Sequence, residues 1–218
     1  MFAGIDQLGL FIVAGLLLNL TPGPDVLYIV SRGLRSGWHA GVVAALGITA
    51  GCFVHVAAAT VGLSALVSAS ATAFTVLKWV GAAYLLYVGA SMVLARRRVL
   101  APPGLGAAAG TVPAPLGEVF AQGFWTNALN PKVALFFLAF LPQFIDPQAP
   151  SKTLTFLVLG LIFIVNSIPI NLAYGLGAAW LSARVVAVRR GMGWLERGAG
   201  ALFIYFGIRL ATAGHTPT

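Results

Sequence analysis

The chain has 218 residues, of which 59% are hydrophobic and only 8% are charged, with a formal net charge of +8. So much apolar surface excludes a soluble globular domain, because a water-soluble core of this size cannot hide it. Cys52 is the single cysteine, which excludes an intramolecular disulfide and paired-cysteine redox chemistry.

Residues 36 to 77 and 153 to 183 contain no Asp, Glu, Lys or Arg, and each stretch can hold a span of about 20 residues. The pattern predicts an all-α integral membrane protein with six transmembrane helices, over about residues 8–30, 40–67, 72–94, 116–141, 153–181 and 194–211. Residues 1 to 5 carry no basic side chain and Asp6 is acidic, so the first apolar run is expected to be a retained helix and not a cleaved signal. A Gly-, Ala- and Pro-rich linker over residues 102–115 separates two triplets of helices within one membrane domain. The triplets cover about residues 5–95 and 116–213.

Helix one is interrupted by Asn19-Leu20-Thr21-Pro22-Gly23-Pro24-Asp25. Pro22 and Pro24 cannot donate to the carbonyls of Leu18 and Leu20. Helix two places Gly47, Gly51 and His55 on one face. The glycines there predict close helix packing, and His55 reads either as a satisfied interior histidine or as a proton relay. Helix four repeats the interruption as Asn127-Ala128-Leu129-Asn130-Pro131-Lys132, where Pro131 frees the carbonyl of Asn127. Thr21 and Asn130 each read as a cap with Pro at the first helical position. Downstream, Phe136, Phe137, Phe140 and Phe144 read as an outer gate or, more simply, as aromatic packing at the membrane interface. Helix five carries Asn166, Pro169 and Asn171, which predict a kink with polar neighbours that line or hinge a pathway.

Bare backbone groups in lipid are costly, so such breaks persist only where they are buried in protein or line a polar cavity. About eleven residues run from Pro22 to Arg32 and from Pro131 to Leu141, roughly 16 Å at about 1.5 Å per residue. That is half of a hydrocarbon core of about 30 Å, so each second half-helix is expected to start near the midplane. A shift of about 109 residues lays Leu20-Thr21-Pro22 on Leu129-Asn130-Pro131, and Tyr87-Val88-Gly89 finds a counterpart in Tyr205-Phe206-Gly207. A repeat with an odd number of spans inserts upside down relative to its twin, so inverted three-helix repeats are expected. The two half-helix N-termini then face one another and form a site suited to a carboxylate. Paired breaks of this kind are how a secondary transporter's site looks in sequence.

The candidate substrate-binding residues are Asn19, Thr21, Pro22, Gly23, Pro24, Asp25, Asn127, Asn130, Pro131 and Lys132. An acid at the depth of Asp25 is costly and points to function, as receiver of a substrate ammonium or as a proton carrier. The plainer alternative is stabilisation by the helix dipole. Lys132 opposes the dipole at its position, so it needs Asp25 or a substrate carboxylate as partner, unless it snorkels. The three asparagines line the cavity, or else only cap a helix and bond freed carbonyls. Asp25, His55, Asn166 and Asn171 form the candidate coupling or pathway set.

The basic side chains also speak against nucleic acid as a partner. Arg32 and Arg35, Arg96 to Arg98, and Arg184, Arg189, Arg190 and Arg197 flank alternate loops. That places them on the cytoplasmic side, against anionic lipid, with both termini on the other side. Three histidines and five acids are scattered without a metal-ligand cluster. There is no Walker-type loop, and Ser64 and Ser167 lack a His–Asp pair. No enzyme activity, cofactor or resident metal is therefore expected.

The segments Leu20-Thr-Pro-Gly-Pro-Asp25, Gly123-Phe-Trp-Thr-Asn-Ala-Leu-Asn-Pro-Lys132, Leu135-Phe-Phe137 and Leu141-Pro-Gln-Phe144, with the glycine and histidine pattern of helix two and Tyr87-Val-Gly89, resemble the LysE/RhtB family of amino-acid exporters. The resemblance runs from about Gly9 to Leu210. It implies efflux of a small amino acid or derivative, threonine-, homoserine- or leucine-like, across a bacterial inner membrane and driven by protons. A neutral or polar substrate is preferred to lysine, because Asp25 is the one clear acid near the site. Pairing into a homodimer is left open. The alternatives are export of a heavy-metal cation, which would draw on Cys52, His55 and Asp25, and a non-transport membrane scaffold.

Overall fold

A computed structural model describes residues 4–63, 71–94, 114–146, 148–181 and 185–212. The predicted end of helix two at Val67, Ser64, Arg96 to Arg98, Arg184 and most of the 102–115 linker lie outside the described residues, as do the side chains of Arg189 and Arg190. Among the described residues every regular element is helical: α1 (Leu8–Leu20), α2 (Pro24–Ala58), α3 (Ala71–Leu94), α4 (Leu116–Ala128), α5 (Pro131–Leu135), α6 (Lys152–Leu181) and α7 (Val185–Thr212). Five-residue π turns follow α2 at Ala59–Leu63 and α5 at Phe136–Phe140, and a 3-10 turn spans Leu141–Phe144. One isolated antiparallel bridge joins Ile5 to Ile145.

The chain breaks where proline dictates. α1 ends at Leu20 and α2 opens at Pro24, with Gly23 as its extended N-cap. The opening lies two residues beyond the predicted Thr21-Pro22. Thr21 is extended, as a residue before proline must be, and its hydroxyl turns back to Leu17 O at 2.6 Å instead of capping α2. α4 ends at Ala128 and α5 opens at Pro131, capped by Asn130, whose Oδ1 accepts from the Lys132 N–H at 3.0 Å. The helices on either side of this second break meet at 42°.

The predicted loop after helix one is a single residue. Gly37 adopts φ 82° and ψ 178°, a conformation essentially restricted to glycine. Helix runs up to it and resumes directly after it. The two arms fold back on each other: a Cβ added at Gly33 would lie 3.7 Å from the Gly41 Cα. In a straight helix the same eight residues would separate them by about 12 Å. Gly33 and Gly41 both meet Gly175 of α6, so the hairpin and α6 touch backbone to backbone. Lower down, Gly47 and Gly51 press on the Phe120 and Phe124 carbonyls of α4, where an added Cβ would stand 2.3 and 2.4 Å away.

α2 therefore lies between α6 and α4, while α3 pairs chiefly with α7. Among the described residues, Pro24–Gly62, which Gly37 folds into two arms, and Lys152–Ala178 are long and apolar enough to cross a membrane, as is the bent pair Leu116–Ala128 with Pro131–Phe144 when taken as one span. Pro169 sits inside α6, which continues helical on both sides of it. α7 starts about nine residues before the predicted start of helix six. The four phenylalanines after Lys132 are wholly buried, and they pack with Phe11, Phe163 and Phe206 in the main apolar cluster. Phe140 meets Phe206 edge-on with centroids 4.2 Å apart. Their place is the protein interior and not an interfacial belt.

Candidate functional site

At the two breaks, each of the three carbonyls that proline denies the usual i+4 N–H is met by a side chain from a distant part of the chain, although Leu18 O and Asn127 O also accept from the backbone N–H of Thr21 (3.2 Å) and Asn130 (2.8 Å). Leu18 O, freed by Pro22, accepts from Lys132 Nζ at 2.9 Å. Leu20 O, freed by Pro24, accepts from the Tyr174 hydroxyl at 2.9 Å. Asn127 O, freed by Pro131, lies 2.8 Å from His55 Nε2. A carbonyl only accepts, so that His55 nitrogen carries a proton. The breaks are thus not loose hinges, because each is stitched to another helix by a polar side chain.

The two breaks meet. Asp25, in the first turn of α2, accepts at Oδ2 from Asn127 Nδ2 (3.1 Å) and Asn130 Nδ2 (2.9 Å). Because Asn130 Oδ1 is committed to capping α5, its amide nitrogen must face Asp25. Lys132 closes the arrangement from the other side, with a second bond to Thr21 O at 3.0 Å.

Between them lies a cavity of about 20 Å³, lined by Asn19, Thr21, Gly23, Asp25, Asn127, Lys132 and Asn171 among others. That is room for about one water. Three buried polar atoms of this lining make no hydrogen bond with protein: Asp25 Oδ1, Asn127 Oδ1 and Asn19 Nδ2. Two acceptors and one donor are thus left unmet, one of the acceptors being the second oxygen of the Asp25 carboxylate. Buried polar atoms left unmet are rare enough to need a reason, and a ligand supplies one.

The other expected residues fall around this centre. Pro22, Asn130 and His55 do not line the cavity, and Pro24 and Pro131 face outward. Asn171 lines it and donates to Thr49 Oγ1 at 3.2 Å. Asn166 points elsewhere: an added Cβ at Gly15 of α1 would lie 4.0 Å from its Nδ2. Cys52 lines the cavity. Among the described residues no three His, Cys, Asp or Glu side chains gather in a metal-binding group. Phe163 and Tyr174 are contacts that the sequence reading did not single out, and Ser167, weighed there only as a nucleophile, lines the cavity as well. With Asn171 they follow a 4-4-3 spacing along one face of α6, and that periodicity was the available signal.

A second polar cluster links the first arm of α2 to α4. Tyr28 donates to Val119 O at 2.7 Å, Arg32 bonds to Gln122 Oε1, and Gln122 Nε2 donates to Glu118 at 2.8 Å. The Arg32 guanidinium lies 5.4 Å from the Tyr28 ring centroid. Tyr28, Glu118 and Gln122 also border an open groove of about 540 Å³.

The profile of the family described as LysE type translocator matches residues 16–214. The chain is 32% identical to a homoserine/homoserine lactone efflux protein of Salmonella typhimurium, over 94% of this chain and 96% of that protein. It is 28% identical to a leucine efflux protein of Salmonella choleraesuis, over 97% and 99% of the respective lengths. An uncharacterised membrane protein of Vibrio cholerae is 31% identical, over 93% and 95%. No solved structure matches the chain.

Proposed function

The chain belongs to the LysE type translocator family, and from that membership we propose that it exports a small amino acid or amino-acid derivative from the cytoplasm in exchange for protons. The reading has one membrane domain of six spans in two inverted three-helix repeats, with the arginine-bearing loops in the cytoplasm and both termini outside. Relatives named for efflux of homoserine or its lactone and of leucine make these two amino acids the first substrates to try.

One observation carries the reading. A buried carboxylate with an uncommitted oxygen and a lysine ammonium share a cavity between two broken helices. The substrate ammonium is assigned to Asp25 Oδ1 and the break carbonyls, and its carboxylate to Asn19 Nδ2 and the Lys132 side chain. At about 20 Å³ the cavity has room for about one water and is too small for an amino acid. Binding then requires it to open, as rocking of one triplet of helices against the other would do.

The test is counterflow in proteoliposomes with a panel of labelled amino acids that includes homoserine, threonine, leucine and lysine, with and without a pH gradient. Uptake of a small neutral amino acid is expected, enhanced when the gradient is imposed. No uptake of any amino acid under either condition discards the proposal.

A further inference from the structure

Lys132 reaches from the first turn of α5 across to the other break, passing Gly23, where an added Cβ would lie 3.5 Å from Nζ. Its ammonium holds the carbonyls of Leu18 and Thr21. An ammonium has three N–H donors and no acceptor, which suits two converging carbonyls. A substrate ammonium entering the cavity offers the same chemistry to the same oxygens, and one small site does not take two cations. We infer that Lys132 carries the exchanged proton, its ammonium and the substrate's occupying the carbonyls of Leu18 and Thr21 in turn. The inference rests on the transport reading above and adds the coupling residue to it.

The proton is conserved at each step. When the substrate ammonium takes the two carbonyls, a Lys132 N–H bond breaks and the electron pair stays on Nζ. The proton passes to water in the opened cavity and leaves toward the cytoplasm. The neutral amine still has N–H groups to donate to the substrate carboxylate. After release on the far side, water there returns a proton to Nζ, and the ammonium closes on the carbonyls again. One proton enters for each amino acid that leaves.

The ionisable groups around Lys132 are disposed for other tasks. Asp25, from α2, has one carboxylate oxygen held by two amide donors. Cys52, on the second arm of α2, shares the cavity wall. His55 is committed to the Asn127 carbonyl outside the cavity, and Tyr174, from α6, to the Leu20 carbonyl. α1 contributes the neutral Asn19.

The experiment begins with purified wild-type protein in weakly buffered detergent with a pH indicator, titrated with L-homoserine and L-leucine. Binding is expected to release about one proton per substrate, and by reciprocity acidification weakens binding. Lys132→Arg keeps a cation and donors for both carbonyls but does not give up its proton. Release should fall to zero in this variant, and a pH gradient should no longer drive accumulation. A purely structural lysine predicts the reverse, rescue by arginine. Lys132→Met has no proton to give up, so substrate-linked proton release and gradient-driven accumulation should both be absent in it. If Lys132→Met fails to assemble, the wild-type and arginine measurements decide.

Binding without proton release in wild type overturns this inference and leaves the transport reading standing, as a lysine that stays charged and pairs with the substrate carboxylate would predict. Proton release or gradient-driven accumulation that survives in a variant also overturns it. Binding of neither amino acid, with no counterflow across the panel, removes both.

Discussion

Two demands meet at residue 130. Oδ1 caps α5 and Nδ2 donates to Asp25, and only an amide side chain of this length serves both. Aspartate caps a helix about as well. It has no N–H, however, and would bring a second carboxylate against Asp25. Asn130→Asp is expected to lower thermal unfolding in detergent, because two carboxylates then share a buried place, and to cut counterflow by about tenfold or more, equivalent to about 1.4 kcal/mol. Full counterflow in that variant would mean that Asp25 does not need its amide partners. Tyr174 serves the backbone alone. Its hydroxyl satisfies the Leu20 carbonyl, which Pro24 has left without an intrahelical donor. Tyr174→Phe leaves that acceptor unmet and should cost about 1–3 kcal/mol of stability. Thermal unfolding in detergent measures it, and an unshifted transition would show that another donor reaches Leu20.

At the scale of the element, what could be read in advance follows from how local each cause is. A proline removes its own N–H wherever it sits, so both breaks were legible at Pro22, Pro24 and Pro131. The start of α2 was misplaced by two residues because Thr21 has two uses for its hydroxyl. Capping Gly23–Pro24 lost to the Leu17 carbonyl, a choice no local rule settles. The loop expected after helix one shrinks to Gly37, and the reason is long-range. Gly33 and Gly41 can approach only because Gly175 of α6 receives both of them, so the reversal has to be made by Gly37 alone. An added Cβ at Gly37 meets nothing within 4 Å, so Gly37→Ala tests backbone strain without any clash. The variant should lose about 1–3 kcal/mol, read as a lower melting temperature in detergent. A melting temperature equal to wild type would mean that the hairpin does not need this conformation. The early start of α7 was missed for a related reason: Arg189-Arg190-Gly191-Met192-Gly193 looks like a polar loop, yet it is helical.

For the whole molecule, the packing argues that opening the site moves large pieces. The second arm of α2 touches α4 and α6 at glycines that leave no slack, with added Cβ atoms at Gly47 and Gly41 falling 2.3 and 2.5 Å from carbonyl oxygens. Interfaces that close tend to move as bodies or not at all, because packed surfaces do not deform gradually. α1 joins this group through a three-residue break, and the phenylalanine cluster fills the space beyond Lys132. A cavity of about 20 Å³ admits neither an amino acid nor a maleimide, so any reaction inside it reports opening. The chain carries a built-in reporter, since Cys52 is its only cysteine and lies on the cavity wall. Labelling of wild-type protein by N-ethylmaleimide in proteoliposomes should be slow at rest. Saturating homoserine or leucine, whichever is transported, should slow it a further severalfold, because the occupied site excludes the reagent. A labelling rate that a transported amino acid leaves untouched would place the substrate away from Cys52 and therefore away from the meeting point of the two breaks.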